Sequence, residues 1–520
     1  MADFGSFCTG IFRQKYKTPA TGSLFSRWRR CQSANVAMIF GLSLVPIILA
    51  AGSAIDVSRA LVVRSRLSQA LDAAGLAVGG TIGLNEAQTQ QLAQNYFDAN
   101  YPIGELGIPG NLQVSQSGNI VSLSASATLN TMIMSIVGIH TMTVATSAEI
   151  TRESKGLEVA LVLDNTGSMY WNGKIGALRN SATSLIHILF GENAFPDNLK
   201  VSLVPFVTSV NINADSFEMD WMDVNAQATH HGENFDETSG EISHFDLFDG
   251  ISNTVWKGCV ELRAAPYDTE DTSPDIGNPD TLWVPYFWPD EPSGYSGYYN
   301  SYRSDGISGS VQVRQANWAK YNGSSVSIDE YPSSTSGPNK SCPQALLPLT
   351  NDRDEILDNI SDMRPWFNSG TNIAAGLAWG WRVLSPTLPF TEGVAYDDED
   401  WQKAMILLSD GRNEVVGQST HNVSDYTGYG YLSQQRLGTQ DNETAVTRVN
   451  EKVAEMCTKV KAQGVRVYTI TFQLSDPDVE AIFDACATDP ALHFRSPTNA
   501  ELEQAFQAIA QDLSNLRLSQ

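Results

Sequence analysis

The sequence of 520 residues is poor in basic side chains and in cysteine, and it lacks the common signatures of catalysis. Lysine and arginine number 33 against 58 aspartate and glutamate. The resulting net charge of −25 argues against nucleic acid as a principal partner, because phosphate binding needs a basic surface. No Gly-x-x-x-x-Gly-Lys phosphate loop, Gly-x-Ser-x-Gly elbow or paired-cysteine zinc motif occurs. With 42% hydrophobic residues the chain can form folded cores, which excludes disorder as the dominant state.

Charge is distributed unevenly around one long apolar run. Residues 1–34 hold six basic side chains and one acidic side chain, and the rest of the chain carries the acidic excess. Residues 34–55 contain no charge and would form a helix of about 33 Å, enough to cross a hydrocarbon core of about 30 Å. We therefore predict a cytoplasmic basic tail over residues 1–33, a transmembrane helix over residues 34–56 and an exported body. A signal peptide cleaved near residues 50–54 is the alternative.

The six cysteines agree with this topology. Cys8 and Cys31 precede the apolar run. The four that follow it are Cys259, Cys342, Cys457 and Cys486. The first two would be thiols in a reducing compartment, and the last four would be oxidised outside. Three pairings of four cysteines are possible, and we favour Cys259–Cys342 with Cys457–Cys486 because each pair falls within one region of the chain.

Residues 57–152 have the pattern of a small α+β region. Apolar residues recur at helical spacing from Val63 to Val78, which predicts that the membrane helix continues outward. A second helix is expected over residues 85–99. Segments with alternating apolar and polar residues then predict strands beginning near residues 111, 120 and 142.

Four segments of this N-terminal part resemble the TadE/TadG-like proteins of the Flp (tight adherence) pilus system of bacteria. They are Arg27-Trp-Arg-Arg, Asn35-Val-Ala, Ile55-Asp-Val-Ser-Arg and Leu67-Ser-Gln-Ala-Leu-Asp-Ala-Ala. The resemblance covers about residues 25–80. It implies a pilus-assembly protein in the bacterial inner membrane with a periplasmic body and pilus components as partners. The glutamate that follows the cleavage site of prepilins in that system is missing here, which argues against processing by a prepilin peptidase.

From residue 156 to residue 520, apolar strands alternate with amphipathic helices. This order predicts a doubly wound, mostly parallel α/β sheet. The expected strands are 157–164, 200–207, 404–411 and 465–472, and the expected helices are 173–190, 353–363, 372–384, 443–463 and 501–516. A loop-rich insertion interrupts the pattern over residues 211–340, where 21 acidic residues stand against 6 basic ones.

Two of the predicted strands end in aspartate, at Asp164 and Asp410. Asp164 opens the motif Asp-x-Thr-x-Ser with Thr166 and Ser168, and Thr371 lies in a loop that begins a helix. In a parallel sheet the carboxyl ends of the strands meet at one edge, so these side chains are expected to form a set of oxygen ligands. Such a set suits a hard cation, and we predict Mg²⁺ or Mn²⁺.

The same constellation resembles the metal-ion-dependent adhesion site (MIDAS) of von Willebrand factor A domains. Thr166 replaces the middle serine of the usual Asp-x-Ser-x-Ser motif. The resemblance implies that Ser168, Thr166 and Thr371 contact the metal directly or through water, and that Asp164 and Asp410 mainly hold its waters. It also implies a protein partner that offers an Asp or Glu, and therefore adhesion or assembly rather than catalysis.

Two other interpretations are open at this stage. One is a surface adhesin unconnected to pili. The other is a metal-dependent phosphatase-like enzyme, because Asp164-Asn-Thr-Gly-Ser resembles the phosphorylated motif of P-type ATPases. Phosphatases of that superfamily need an aspartate two residues after the nucleophile, where this chain has Thr166. We therefore expect the chain not to be an enzyme.

Overall fold

The computed structural model describes residues 32–81, 86–102, 106–117, 120–151, 155–212, 219–236, 242–323, 325–328, 336–367 and 370–517. The described residues form two compact units, one within residues 32–151 and the other within residues 155–517. The predicted basic tail lies outside the described residues except for its last two positions, and so do Cys8 and Cys31. Each unit has its own hydrophobic core.

A single helix of 48 residues, α1 (Gln32–Gly79), carries both the apolar run and its continuation. Among the described residues it is the one helix that is long and apolar enough to cross a membrane. Apolar side chains of the run are exposed, including Ile39 and Leu42. Beyond the run, a stripe from Val63 to Val78 is buried in the core of the first unit. The prediction that the helix continues beyond the apolar run is confirmed.

The rest of the first unit is one helix and a four-stranded antiparallel sheet. Their bounds are α2 (Glu86–Asn100), β1 (Ile108–Pro109), β2 (Gln113–Ser117), β3 (Ile120–Asn130) and β4 (Thr141–Thr151). β3 pairs along its whole length with β4, and in two parts with β1 and β2. Alternate residues of β3, from Val121 to Leu129, are buried with the stripe of α1. The alternation of apolar and polar residues in the sequence of β3 therefore matches the face that is buried in the structure.

The second unit contains the predicted doubly wound sheet. Five strands are parallel, and three short ones are antiparallel additions next to β6. Their order is β12-β11-β10-β5-β6-β7-β8, with β9 also pairing with β6. The bounds are β5 (Gly156–Asp164), β6 (Leu199–Phe206), β7 (Val210–Asn211), β8 (Cys259–Val260), β9 (Leu347–Thr350), β10 (Trp401–Ser409), β11 (Arg466–Phe472) and β12 (His493–Ser496).

Helices cover both faces of this sheet. One core cluster joins one face of the strands to α3, α6 and α10, and a second joins the other face to α7, α8 and α9. The helices of this unit are α3 (Lys174–Phe190), α4 (His244–Asp249), α5 (Val311–Ala316), α6 (Arg353–Asp362), α7 (Ile373–Leu384), α8 (Asn442–Ala462), α9 (Pro477–Cys486) and α10 (Asn499–Leu516). The predicted fold class is confirmed, because β5 is buried on both sides as a central parallel strand requires.

The insertion at residues 211–340 contributes side chains to the core cluster that contains α7, α8 and α9. It supplies β8 and the two short helices α4 and α5, and its largest aromatic side chains are buried. Trp283 packs against Trp379 of α7 with ring centroids 5.0 Å apart. Both predicted cysteine pairs are present: Cys259–Cys342 spans 83 residues, and Cys457–Cys486 spans 29. The insertion is thus part of the α/β unit and completes one face of its core.

The packing of α7 on the sheet predicts opposite effects for two Gly→Ala substitutions. A Cβ atom on Gly380 would lie 2.3 Å from Val162 Cγ2, whereas one on Gly176 in α3 would have no atom within 4 Å. We expect Gly380→Ala to destabilise the fold by about 1–3 kcal/mol through overpacking, which exceeds the helix-propensity gain of about 1 kcal/mol. Gly176→Ala should match or exceed the wild-type melting temperature. Equal melting of both variants would contradict the close packing of α7.

Candidate functional site

Asp164 ends β5 and forms a tight turn with the residues that follow. Its carboxyl group is fully buried. One oxygen accepts a hydrogen bond from the backbone N–H of Thr166 at 2.8 Å, the pattern of an Asx turn. The other accepts from Ser409 Oγ at 2.6 Å, where Ser409 is the last residue of the neighbouring strand β10. Both oxygens of Asp164 are therefore held inside the protein.

The hydroxyl groups of the Asp-x-Thr-x-Ser motif connect this turn to the end of β10. Thr166 Oγ1 and Ser168 Oγ lie 2.9 Å apart, and Ser168 Oγ donates to Asp410 Oδ1 at 2.6 Å. Because β5 and β10 are adjacent parallel strands, residues far apart in sequence meet at one edge. Four of the five predicted site residues thus belong to one hydrogen-bonded network.

Thr371, the fifth predicted residue, lies at the start of α7. Its backbone exchanges hydrogen bonds with Glu414, with N···O distances of 3.2 and 2.8 Å. Asn372 Oδ1 caps α7 by accepting from the N–H of Ala375 at 3.1 Å. Thr371 lines the same pocket as Thr166 and Ser168. Residues 368–369 of the predicted loop lie outside the described residues.

The two carboxyl groups of the network influence each other. Burial raises the pKa of Asp164 to about 7, and the nearby charge of Asp410 acts in the same direction. Hydrogen bonds from Ser409 and Thr166 oppose that rise in pKa. Two carboxylates in a dry site repel each other, so the ionised pair needs positive charge nearby.

Lys174, which the sequence analysis missed, supplies part of that charge. Its Nζ lies 2.7 Å from Asp410 Oδ2, and the Asp410 side chain is fully buried. Lys174 is the first residue of α3, where an ammonium group opposes the helix dipole. A lysine at this unfavourable position next to a strand-end motif is the signal that could have indicated an acidic partner.

A pocket of about 620 Å³ lies against the three hydroxyl residues. Other parts of its wall come from Tyr299 and Lys340 in the insertion and from Glu414 and Asp425 after β10. Burial raises the pKa of Asp425 to about 6, and neighbouring Lys340 opposes the rise. The pocket therefore combines the hydroxyl network with acidic and basic groups from distant parts of the chain.

Lys340 is almost fully buried in this wall. Its Nζ donates to the carbonyl oxygen of Tyr299 at 3.0 Å and lies 4.1 Å from the centroid of the Trp288 ring. Burial lowers the pKa of Lys340, and the charges of Asp425 and Glu291 oppose this change. No sequence pattern indicates a role for this lysine, because its contacts come from residues far away in the chain.

The described residues contain no group of three or more His, Cys, Asp or Glu side chains that could hold a metal ion. Any cation at the network would therefore have to use hydroxyl groups and water in addition to Asp164 and Asp410.

Residues 34–83 match the model of a family described as Flp pilus-assembly TadE/G-like. This match confirms the TadE/TadG-like resemblance of the N-terminal segment, and it agrees with a structural rather than an enzymatic protein. No curated protein sequence matches the chain.

Several solved structures are similar to the chain at low sequence identity. The von Willebrand factor domain of the type V pili tip protein Mfa5 from Porphyromonas gingivalis is 11% identical, with a TM-score of 0.33, and the match covers 71% of this chain and 97% of that one. The pilus adhesin SpaC from Lactobacillus rhamnosus GG is 13% identical, with a TM-score of 0.31 and 78% of this chain covered. The match spans about a third (34%) of the SpaC chain. A von Willebrand factor type A protein from Catenulispora acidiphila is 10% identical, with a TM-score of 0.28, covering 79% and 51% of the two chains.

The burial of the Lys174–Asp410 pair predicts a large effect of breaking it. Lys174→Met should destabilise the protein by about 3–5 kcal/mol in EDTA, because Asp410 would remain buried without its partner. Arg448→Met is the control, since the Arg448–Glu451 pair is exposed and its loss should cost about 0–1 kcal/mol. The measurement is denaturant unfolding followed by tryptophan fluorescence. Adding Asp410→Asn to Lys174→Met should restore part of the lost stability.

The pairing would be energetically unimportant if Lys174→Met cost no more than Arg448→Met. It would equally be unimportant if the additional Asp410→Asn change made the Lys174→Met variant less stable.

Proposed function

We propose that this protein is a membrane-anchored component of a Flp/Tad pilus system that binds a protein partner through a divalent cation. The observation that carries the proposal is the continuous network of Asp164, Thr166, Ser168 and Asp410 beside an open pocket that Thr371 also lines. The family match over residues 34–83 supports the pilus context. The oxygen-only chemistry of the network supports a hard cation, Mg²⁺ or Mn²⁺.

The charges of the site fit such an ion. Asp164 and Asp410 carry two negative charges when ionised, and Lys174 neutralises one of them. A divalent cation would convert the remaining −1 into +1. Ser168, Thr166 and Thr371 would contact the ion directly or through water, and the two carboxylates would hold its waters. The net positive centre would then attract an anionic group, so we propose an Asp or Glu of the partner as the ligand.

The surface beside the network suits a protein partner. Tyr170 and Trp171 lie two and three residues after Ser168 and are 55% and 63% exposed. The Tyr170 ring lies 5.1 Å from the Trp171 ring and 5.2 Å from Phe367. Exposed aromatic side chains that are held by one another are typical anchors of protein–protein contacts.

The phosphatase-like alternative is disfavoured by the environment of Asp164. A nucleophilic carboxylate needs an oxygen that is open to the substrate, but this side chain is fully buried and both its oxygens accept hydrogen bonds. The alternative of an adhesin unconnected to pili has no comparable support, because the family model of the N-terminal segment is that of pilus assembly.

Removal of the Thr371 hydroxyl tests the cation. We expect Mg²⁺ or Mn²⁺ to raise the melting temperature of the purified chain, and an excess of 100 times the dissociation constant corresponds to about 2.7 kcal/mol of added stability. Thr371→Val should abolish this increase with little change in the absence of metal. Thr458→Val is the matched control, since the Thr458 hydroxyl lies on the exposed side of α8 and donates to Ala454 O. The same variants are then compared in pull-downs of pilus subunits with Mg²⁺ or EDTA.

Partner binding that survives both EDTA and Thr371→Val would refute a metal-dependent contact. A metal-induced increase in melting temperature that is the same in both threonine variants would place the cation elsewhere in the protein. Loss of binding in both variants would also refute the assignment of Thr371.

The proposed orientation has the N-terminus in the cytoplasm and the body in the periplasm, since the basic residues precede the apolar run. Alkaline phosphatase, which is active only after export, should be active when fused after Lys155 and inactive when fused after Thr18. Green fluorescent protein at the same two positions provides the reciprocal control. Phosphatase activity at Thr18 alone would reverse the proposed orientation.

A further inference from the structure

The connection between β3 and β4, residues 131–140, presents apolar side chains to the outside of the first unit. We call this segment the hairpin tip. Met132, Ile136, Val137 and Ile139 are 63%, 72%, 53% and 44% exposed. The hairpin tip has no acidic or basic side chain apart from His140 at its end. Loops that face water are usually polar, so this exposure points to a nonaqueous environment or a partner.

The hairpin tip contacts α1 where the apolar run ends. A Cβ atom on Gly52 would lie 2.1 Å from Ile133 Cγ2, so glycine is needed there for the close approach. Gly52 lies 18 residues after Ala34, a rise of about 27 Å along a helix, close to the thickness of a hydrocarbon core. If the membrane span begins at Ala34, Ile133 lies at its outer boundary.

Most backbone N–H groups of the hairpin tip donate hydrogen bonds within the protein, as an environment with little water requires. Asp56, one turn after Gly52, accepts hydrogen bonds from the N–H groups of Met132, Ile133 and Met134 at 2.8, 2.9 and 2.9 Å. The N–H groups of residues 131, 136, 138 and 139 donate to carbonyl oxygens of the same segment. Backbone groups near lipid must find partners within the protein, and these seven N–H groups do so.

We propose that the hairpin tip inserts its apolar side chains into the outer membrane–water interface beside α1, as a second contact with the bilayer. The occupant is lipid rather than protein because the exposed apolar surface is continuous with the exposed apolar run of α1. Arg59 fits this placement: it lies 3.6 Å from Asp56 and 3.3 Å from the carbonyl oxygen of Asn130, on the headgroup side of the same helix. The inference rests on α1 spanning the membrane, as in the proposed function.

Two contacts with the bilayer have a mechanical consequence. A single helix can rotate about its own axis in a membrane, whereas a helix with an inserted loop beside it has one preferred rotation. Asp56 and Gly52 fix the hairpin tip to one face of α1. The sheet of the first unit would therefore present a defined face along the membrane.

Depth-dependent fluorescence quenching tests the insertion in the full chain. Cys8 and Cys31 are replaced by serine, and one new cysteine carries an environment-sensitive nitrobenzoxadiazole label. The protein is reconstituted in vesicles of phosphatidylethanolamine and phosphatidylglycerol, with or without lipid bearing a nitroxide near the headgroup end of its acyl chain. For Ile136→Cys we expect a blue-shifted emission and a loss of fluorescence when the nitroxide lipid is present.

Two controls on α1 separate the possible failures. The first control, Leu44→Cys, places the label within the apolar run. The second, Leu76→Cys, replaces a side chain that is 79% exposed and lies about 36 Å beyond Gly52 along the helix. The label at 44 should be protected from water and the label at 76 should be unaffected by the nitroxide lipid. If the label at 44 behaves as expected but the label at 136 behaves like that at 76, the hairpin tip lies in water and the inference fails while the anchor stands.

A blue-shifted label at 136 that the nitroxide lipid does not quench would mean that protein covers the hairpin tip, which also overturns the inference. A label at 44 that is open to water would refute the membrane span itself, and with it the membrane part of the proposed function. Ile136 is mostly exposed, so its replacement leaves the fold of the first unit unchanged. As a second variant, Ile136→Asp should weaken quenching of a label at Val137→Cys, because a charge is expelled from the interface.

Discussion

The repulsion between two buried carboxylates, Asp164 and Asp410, is the constraint that organises the candidate site. They come together because β5 and β10 are neighbouring parallel strands that both end there. Each oxygen then has a partner: Thr166 and Ser409 for Asp164, and Ser168 and Lys174 for Asp410. The start of α3 is thereby fixed to the end of β10, so the geometry of the site depends on this one electrostatic arrangement.

The insertion and the site are physically connected through the second core cluster. Aromatic side chains of the insertion pack against α7, and Thr371 lies two residues before the first residue of α7. The same insertion contributes Lys340 and Tyr299 to the pocket wall. A change in the insertion can thus alter the pocket in two ways, through its wall and through the support of α7. Burial of rings such as Trp283 and Trp288 explains the aromatic content of the insertion, and carboxylates such as Asp290 and Glu291 are buried with them.

The sequence predicted what depends on local pattern. Buried apolar runs indicated β5 and β10, and the helix predicted from residue 443 begins at Asn442 in the structure. Asp164 and Asp410 were predicted from strand ends, and Thr166 and Ser168 from the motif that Asp164 opens. The strand β12 was missed because a run of 4 residues leaves little periodicity. The helix α9 was also missed, although α6, which has the same length of 10 residues, was predicted. The partnership of Lys174 with Asp410 was missed because it depends on a contact across 236 residues.

Comparison among the buried carboxylates of the described residues distinguishes structural groups from the candidate site. Asp56 accepts three backbone N–H groups and has Arg59 nearby, so its charge is compensated. Glu158 has two ammonium partners, Lys200 at 3.3 Å and Lys403. The Asp164–Asp410 pair has one ammonium group, that of Lys174 on Asp410, and lies beside a pocket. Glu233 and Glu261 also share one cation, Arg436, but they do not line that pocket. The proposed divalent cation would supply the second positive charge, and without it the raised pKa of Asp164, about 7, allows a proton to do so.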